Sequence, residues 1–407
     1  MTVLKVLNVG HGDSMILLPE TGCCFDRKKI LIDLGPGLHD ITKHINQEDR
    51  VHIFITHHDA DHLNGIRFFA NRMKQVDEIT VPFYQNEITL IAKSILSLKG
   101  MRHAHDCTEF IRLLEDLIGN QIYLKELTNR RSTGPKLSFA HEGKWYCKHI
   151  TCLNPPICMD SFYWLKEAST EDLCKIIDKL FEPVFAGSMD RYIQKKTLGR
   201  SINTPRYTSN NKEYFDEDED FNDIILDAPV ETNIPIEEVN ARKASYVVDF
   251  IMRNLELLKA FNTVPNRENL RVIYEEFIKC THDACTVLKT AYSTKTFLLT
   301  GDASKKVFHR LIQKGSNITA DYLKMPHHGS KQNISAEIFD AIQPKAAIIS
   351  HNNRRFGKAR DSLPNMEVLE MLESKGIYVM LTNDVCKQNV RCMSKSNHLG
   401  DLFVEMI

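Results

Sequence analysis

Three imidazoles and two carboxylates fall within six consecutive positions of the stretch Thr56-His57-His58-Asp59-Ala60-Asp61-His62-Leu63-Asn64-Gly65. Side chains this rich in lone pairs repel one another in a core and serve no purpose in such density on a surface. A metal ion is the simplest physical reason for them. On an extended or tightly turned segment alternate side chains share a face, so His57, Asp59 and Asp61 converge while His62 reaches in from the other side. That geometry suits two adjacent cations.

Elements on either side must hold this cluster in place. The apolar run 51–55 reads as a strand that delivers it at its C-terminal end. Before it, 4–8 and 15–18 read as strands joined by the turn Gly10-His11-Gly12-Asp13-Ser14, where His11 and Asp13 are expected to serve the turn. The strand 29–35 carries Asp33 near its end, a place where polar residues often serve a site. Strand patterns return in the last third. The segments 285–289 and 296–299 lead to Thr300-Gly301-Asp302, and 322–325 leads to Pro326-His327-His328-Gly329-Ser330. Helices are expected at 303–314, 335–342 and 364–376, with strands at 346–350, 378–381 and 402–405. Between the halves, residues 66–279 read as a helical, partly mobile insertion, with helices at 90–98, 108–118, 169–181 and 236–261 and a strand at 144–153. The polar stretch 187–233 contains the acidic run 216–220, read as a solvated face in preference to a cation site, and a protein partner is open to the chain through this acidic insertion.

Composition sets the outer limits. With 407 residues and 43% hydrophobic content the chain can bury a large core. No apolar run approaches the length of a membrane span, so a soluble cytoplasmic protein without membrane contact is expected. Eleven cysteines, an odd number with no C-x-x-C pair, fit reduced thiols better than a disulfide framework. Cys280 and Cys285 flank His282 without an evident fourth zinc ligand. The net charge of -1 gives no bulk attraction for a polyanion, so one must be gripped locally. The loop after 346–350 is suited to that, since Arg354, Arg355, Lys358 and Arg360 gather four cations within seven residues.

The ordered motifs Val9-Gly10-His11-Gly12-Asp13-Ser14, Ile32-Asp33-Leu34-Gly35, His57-His58-Asp59-Ala60-Asp61-His62, Leu299-Thr300-Gly301-Asp302 and Leu323-Lys324-Met325-Pro326-His327-His328-Gly329-Ser330 resemble the metallo-β-lactamase superfamily. Within it the chain is similar to the soluble hydrolase domain of the ComEC/Rec2 competence proteins, where H-x-D-x-D-H replaces H-x-H-x-D-H. The likeness covers roughly the first 65 and last 125 residues. It implies an α/β protein, one αββα sandwich domain over 1–407 with the helical insertion between its halves. It also implies two divalent ions, zinc or manganese. His57 and Asp59 would bind one ion and Asp61 and His62 the other, with Asp302 bridging. His328 would complete the second site and His327 would line the pocket, the reverse assignment of these two staying open. His282 stands where the superfamily places its third histidine and competence proteins tend to show asparagine, so it is a ligand or an ordinary histidine. The membrane channel of the competence proteins has no counterpart in these residues, and DNA uptake is not expected. Nor is the histidine of the family's Gly-His-Pro loop present, Lys358 standing nearest its place.

The function implied is hydrolysis by a dinuclear centre, most directly of a phosphodiester in nucleic acid or a nucleotide. Asp61, Asp302 and His327 would carry the catalysis. Ser330, Arg354, Arg355 and Lys358 would hold the substrate. The alternatives are an ester, lactone or thioester hydrolase and a metal-stabilised interaction subunit without turnover. If the basic loop grips phosphates, replacing Arg354 and Arg355 together by alanine weakens oligonucleotide binding and lowers the slope of log K against log salt by about 0.7–0.9 for each phosphate no longer neutralised, with metal content unchanged. Binding measured across a salt series checks this, and an unaltered slope assigns the arginines to structure.

Overall fold

Parallel strands end together, so whatever follows them gathers along one edge of a sheet. The computed structural model of the chain describes residues 3–19, 23–25, 28–96, 98, 108–128, 134–157, 236–292, 295–352, 363–383 and 402–405. Among them are β1 (Val3–Val6), β2 (Ser14–Leu18), β3 (Lys28–Leu34), β4 (Arg50–Phe54), β5 (Val76–Pro82), β6 (Lys136–Ala140), β7 (Trp145–Cys147), β8 (Ile150–Asn154), β9 (Val287–Tyr292), β10 (Lys295–Leu299), β11 (Tyr322–Lys324), β12 (Ala346–Ile349), β13 (Tyr378–Leu381) and β14 (Leu402–Glu405). They form two mixed seven-stranded sheets, ordered β14-β1-β2-β3-β4-β5-β6 and β13-β12-β11-β10-β9-β8-β7. β3 to β6 run parallel in the first, and β10 to β13 run parallel in the second.

Alternation along the strands sorts the apolar residues between layers. Ile30, Ile32 and Phe54 of the first sheet meet Leu288, Phe297, Leu299 and Ile348 of the second in one buried cluster, so the sheets pack face to face. The neighbours Val287, Leu298, Ala347 and Ile349 point the other way. There they meet Val307, Phe308, Leu311, Ile338, Phe339, Val368 and Leu372 from the helices Lys305–Gln313, Ala336–Ile342 and Met366–Ser374. Each fully buried Leu, Ile or Phe contributes about 1.5–3 kcal/mol. On β3 lie the helical turn Ala60–Leu63 and the 3-10 turn Asn64–Phe69.

The chain divides into two compact units, 1–83 with 124–156 and 281–407, and 84–123 with 157–280. Both sheets belong to the first. The stretch 66–279, read from sequence as one insertion, thus belongs to the first unit over 66–83 and 124–156, where it supplies β5 to β8 to the sheets, and to the second unit elsewhere. That second unit is helical. The expected helices appear as Gln85–Leu96, Thr108–Thr128 and Ile236–Thr263. A helix at Arg267–Asp283 was not anticipated. Its buried Leu270, Ile273, Phe277 and Cys280 keep helical spacing, but charged residues outnumber them and dilute the pattern. Within this unit Tyr84 stacks on Tyr246 at 4.4 Å, and burial raises the pKa of Glu87 and lowers that of Lys243. The segment 169–181, the acidic run and the basic loop with Arg354, Arg355, Lys358 and Arg360 lie outside the described residues. Among the described residues no helix is long and apolar enough to cross a membrane.

One buried histidine of the first sheet makes stability depend on pH. His52 of β4 stacks on Phe54 with ring centroids 4.4 Å apart, and its Nε2 lies 2.8 Å from Thr80 Oγ1. Burial pushes its pKa down to about 4. The unfolded chain protonates this ring near pH 6.5 while the folded chain does not, so the contribution is whole above about 6.5 and is lost as pH falls toward 4. It amounts to about 3 kcal/mol. A His52→Leu variant therefore loses one proton from the slope of unfolding free energy against pH in that window, as urea unfolding at several pH values would reveal.

Candidate metal centre

Five strand ends and one helix end bring the candidate residues to one edge. β3 ends in Asp33, β4 runs into Thr56, His57, Asp59, Asp61 and His62, and β10 into Asp302. β11 is followed by His327 and His328, and β12 by Ser350. His282 closes the helix Arg267–Asp283 just before β9. Glycine allows one of these approaches. Gly301 has φ +48°, and a Cβ there would sit 2.5 Å from Thr56 Oγ1 and 2.6 Å from Cys285 Sγ. Asp302 is thereby drawn against the end of β4.

The seven predicted metal-binding residues form two groups that share Asp302. On one side, His57 Nε2 lies 3.6 Å from Asp59 Oδ2 and 3.7 Å from Asp302 Oδ2, and His282 Nε2 lies 3.9 Å from each of the same two oxygens. On the other, His62 Nε2 is 3.4 Å from Asp302 Oδ1 and 3.9 Å from Asp61 Oδ2, which is 3.1 Å from His328 Nε2. One carboxylate thus turns an oxygen to each group. His282, left open by the sequence, stands among the donors of the first. His327 stands at that group's rim with Nε2 3.8 Å from Asp302 Oδ2 and a quarter of its side chain exposed, whereas His328 is fully buried in the second.

Hydrogen bonds behind the rings decide which nitrogen faces inward. Thr56 Oγ1 gives its proton to Asp33 Oδ2 at 2.7 Å, so towards His57 Nδ1, 3.2 Å away, it can only accept. His62 Nδ1 donates to Asp33 at 2.8 Å, and His328 Nδ1 donates to the Ser350 carbonyl at 2.8 Å. All three rings therefore carry Nδ1–H and aim Nε2 at carboxylates. Such backing of an imidazole by an oxygen acceptor is how proteins orient metal ligands. His57 Nε2, His62 Nε2, Asp59 Oδ1 and Asp302 Oδ1 are buried without a hydrogen-bond partner among the described residues. Two ligand atoms about 2.1 Å from a shared tetrahedral ion stand roughly 3.4 Å apart, close to the separations here. The donor set therefore fits a pair of divalent ions.

Charge balance leads to the same demand. Burial opposes ionisation of His57 and His62, yet their pKa values are raised well above the usual imidazole range, by Asp59 and Cys285 for the first and by Asp302, Asp33 and Asp61 for the second. Burial likewise opposes charge on Asp302, but His62, His327 and His57 hold its carboxyl well below the ordinary carboxylate range. Burial and the neighbouring His327 push His282 down to about 3, keeping its ring neutral. Three carboxylates in this space call for positive charge, as protons or as metal.

Sequence reasoning missed several supports. His11, expected to serve only its turn, has Nε2 3.6 Å from Asp61 Oδ2 and its ring 4.3 Å from that of His328. The cause is Gly12, with φ +139°, where a Cβ would lie 2.3 Å from the Asp61 carbonyl oxygen, so the turn presses directly on that residue. Asp13 is fully buried and bonded to Lys324 Nζ at 2.6 Å. Asn333 donates to the carbonyls of Asp302 and Ala303 and turns its oxygen to His327 Nδ1 at 3.2 Å. Ser330 Oγ accepts from the Gln332 amide at 3.2 Å and keeps its own O–H to give. Cys285 Sγ accepts from Asp302 N at 3.3 Å while Cys280 donates to the Tyr246 hydroxyl, so the two thiols serve different neighbours. The glycine spacing around His11 was the available signal for its part; Asn333 and Lys324 had none.

Over 89 residues the chain is 37% identical to ComE operon protein 3 of Bacillus subtilis (strain 168). The match spans 22% of this chain and 11% of that protein. No family model matches the chain.

Asp33 anchors the arrangement by accepting from Thr56 N at 2.7 Å, Thr56 Oγ1 at 2.7 Å and His62 Nδ1 at 2.8 Å with no exposure to solvent. Its replacement by alanine strands three donors, and the expected loss is about 2–5 kcal/mol of stability. Denaturant unfolding of Asp33→Ala against the wild type measures it, and a loss within about 0.5 kcal/mol, that of a surface change, would contradict the anchoring.

Proposed function

We propose that the chain is a metal-dependent hydrolase of the metallo-β-lactamase superfamily, built as an αββα sandwich, whose substrate is a phosphodiester of nucleic acid or a nucleotide. The observation that carries this reading is Asp302, with Oδ2 towards His57 and His282 and Oδ1 towards His62. The partial identity to a competence protein agrees with the motif resemblance. The first ion would be held by His57, Asp59, His282 and Asp302, and the second by Asp61, His62, His328 and Asp302. Each set offers two imidazoles and two carboxylates, donors that suit zinc and manganese alike. When bound, such a pair makes water nucleophilic near neutral pH and withdraws charge from a phosphoryl oxygen.

The chain's own residues supply orientation and proton handling. Asp33, Thr56 and Ser350 hold three imidazoles in one tautomer, so no reorientation is needed when a substrate arrives. His327, with Nδ1–H held by Asn333, presents Nε2 at the rim, where it can take up a proton and deliver it to the leaving oxygen. His11 and His328 flank Asp61 and fix its carboxylate from two sides.

Elemental analysis of the purified protein is expected to find about two divalent ions per chain. Asp302→Ala should lose both ions and reduce turnover of bis(p-nitrophenyl) phosphate by more than the roughly 10–100-fold typical of losing an outer-shell partner. Far-ultraviolet circular dichroism checks that the fold persists. A variant that keeps full activity, or a wild type that neither holds nor responds to added zinc or manganese, overturns the proposal.

A further inference from the structure

A second cluster of potential ligands lies at the far end of the sheets. Cys23 and Cys24 precede β3 at its N-terminal end, whereas the candidate metal centre follows its C-terminal end; a seven-residue strand separates them by about 20 Å. Cys147 closes β7 and is paired with Ile150 at the start of β8, so it reaches the same end. The three sulfurs lie within 4.8 Å of one another, with Cys23 Sγ 3.6 Å from Cys147 Sγ. Cys23 is buried, Cys147 half-buried and Cys24 exposed, so the cluster opens to solvent on one side.

We propose that Cys23, Cys24 and Cys147 form a separate thiolate site for a single thiophilic d10 cation, Zn(II) or Cu(I). Two sulfurs about 2.3 Å from one tetrahedral or trigonal ion stand roughly 3.8–4.0 Å apart, and the Cys23–Cys147 separation is already near that value. Thiolate sulfur selects soft and borderline cations over magnesium, calcium or manganese. The His149 amide donates to Cys147 Sγ at 3.4 Å, a contact that favours its thiolate. Without a cation, burial opposes the thiolates of Cys147 and Cys24. Burial, with the neighbouring Cys23 adding to it, pushes Cys147 up to about 12, and partial burial and Cys23 raise Cys24. Binding forms three metal–sulfur bonds and releases three protons to solvent, with no change of oxidation state. Tyr292, whose hydroxyl is 3.9 Å from Cys23 Sγ and whose ring stacks on His149, walls the inner side.

The test uses the reduced full-length chain and Cd(II) alone as the probe, because the sulfur-to-cadmium charge-transfer absorption reports thiolate ligation and not the histidine and carboxylate centre. The wild type should show a band that saturates at one Cd(II) per chain and is competed by Zn(II) or Cu(I). Cys24→Ser, which alters an exposed side chain, should weaken binding at least tenfold, and Cys147→Ser should abolish the band. Asp302→Ala should leave it intact, which separates this site from the hydrolytic one. A band that survives both cysteine substitutions overturns the proposal. So does a wild type that takes up no Cd(II) when reduced and is isolated with a Cys23–Cys147 disulfide, which would make the pair a redox element instead.

Discussion

A single carboxylate, Asp302, has to face two sets of imidazoles at once, and much of the first unit is arranged so that it can. Its backbone follows β10 in one sheet while His57 and His62 follow β4 in the other, so the contact exists only where the two sheet edges meet. Phe54, Leu288, Phe297, Leu299 and Ile348 form the apolar seam just behind that edge and fix the spacing of the sheets. The strand ends are then brought closer than ordinary side chains permit. Gly301 fits against Thr56 and Cys285 because it has no Cβ, and Cys285 accepts the Asp302 amide. Core packing thus sets distances that the polar groups alone would oppose, since three carboxylates held this close repel one another.

The same edge holds backbone strain. Asp33, His327 and His328 all have positive φ, between 46° and 57°, a conformation that costs a residue with a side chain about 1–3 kcal/mol. Each is held there by bonds that a relaxed backbone would lose. Asp33 keeps three donors from Thr56 and His62, His328 reaches the Ser350 carbonyl, and His327 meets Asn333 while its own amide donates to the Gly301 carbonyl at 3.2 Å. Ser350 Oγ closes the circuit by donating to the Gly12 carbonyl, beside the turn that carries His11. The directed bonds thus offset the strain and fix the orientation of the rings they hold.

Much of this was legible in the residues, and what was not has a physical reason. The imidazole and carboxylate density at 57–62 stands out because such groups are costly together, and the structure gathers His57, Asp59, Asp61 and His62 with His282, Asp302 and His328. Short apolar runs bounded by turn residues, such as 296–299 and 346–349, were also readable as strands. β5 and β6 were not, since each carries charged residues at or near its start, Asp77 and Glu78 in one and Lys136 in the other, and leaves only a short apolar run. They sit inside a stretch that composition marks only as an insertion. His11 escaped notice because a lone histidine between glycines satisfies turn chemistry equally well; its place beside Asp61 depends on a contact far along the chain, which local pattern does not carry.

Position along the strands also separates donor chemistries. At the C-terminal ends of β3, β4 and β10 the donors are imidazole nitrogen and carboxylate oxygen, buried and prearranged by outer hydrogen bonds. At the opposite end of β3 the donors are sulfur, with Cys24 open to solvent. Nitrogen and oxygen donors of this kind suit both zinc and manganese, while three thiolates favour soft and borderline ions over manganese. A chain carrying both offers zinc a place at either end, while a softer ion such as Cu(I) is drawn to the sulfur end and manganese to the nitrogen and oxygen end. The rigid seven-residue β3 keeps the two sets too far apart to share a ligand, so neither can scavenge the other's metal through a common side chain.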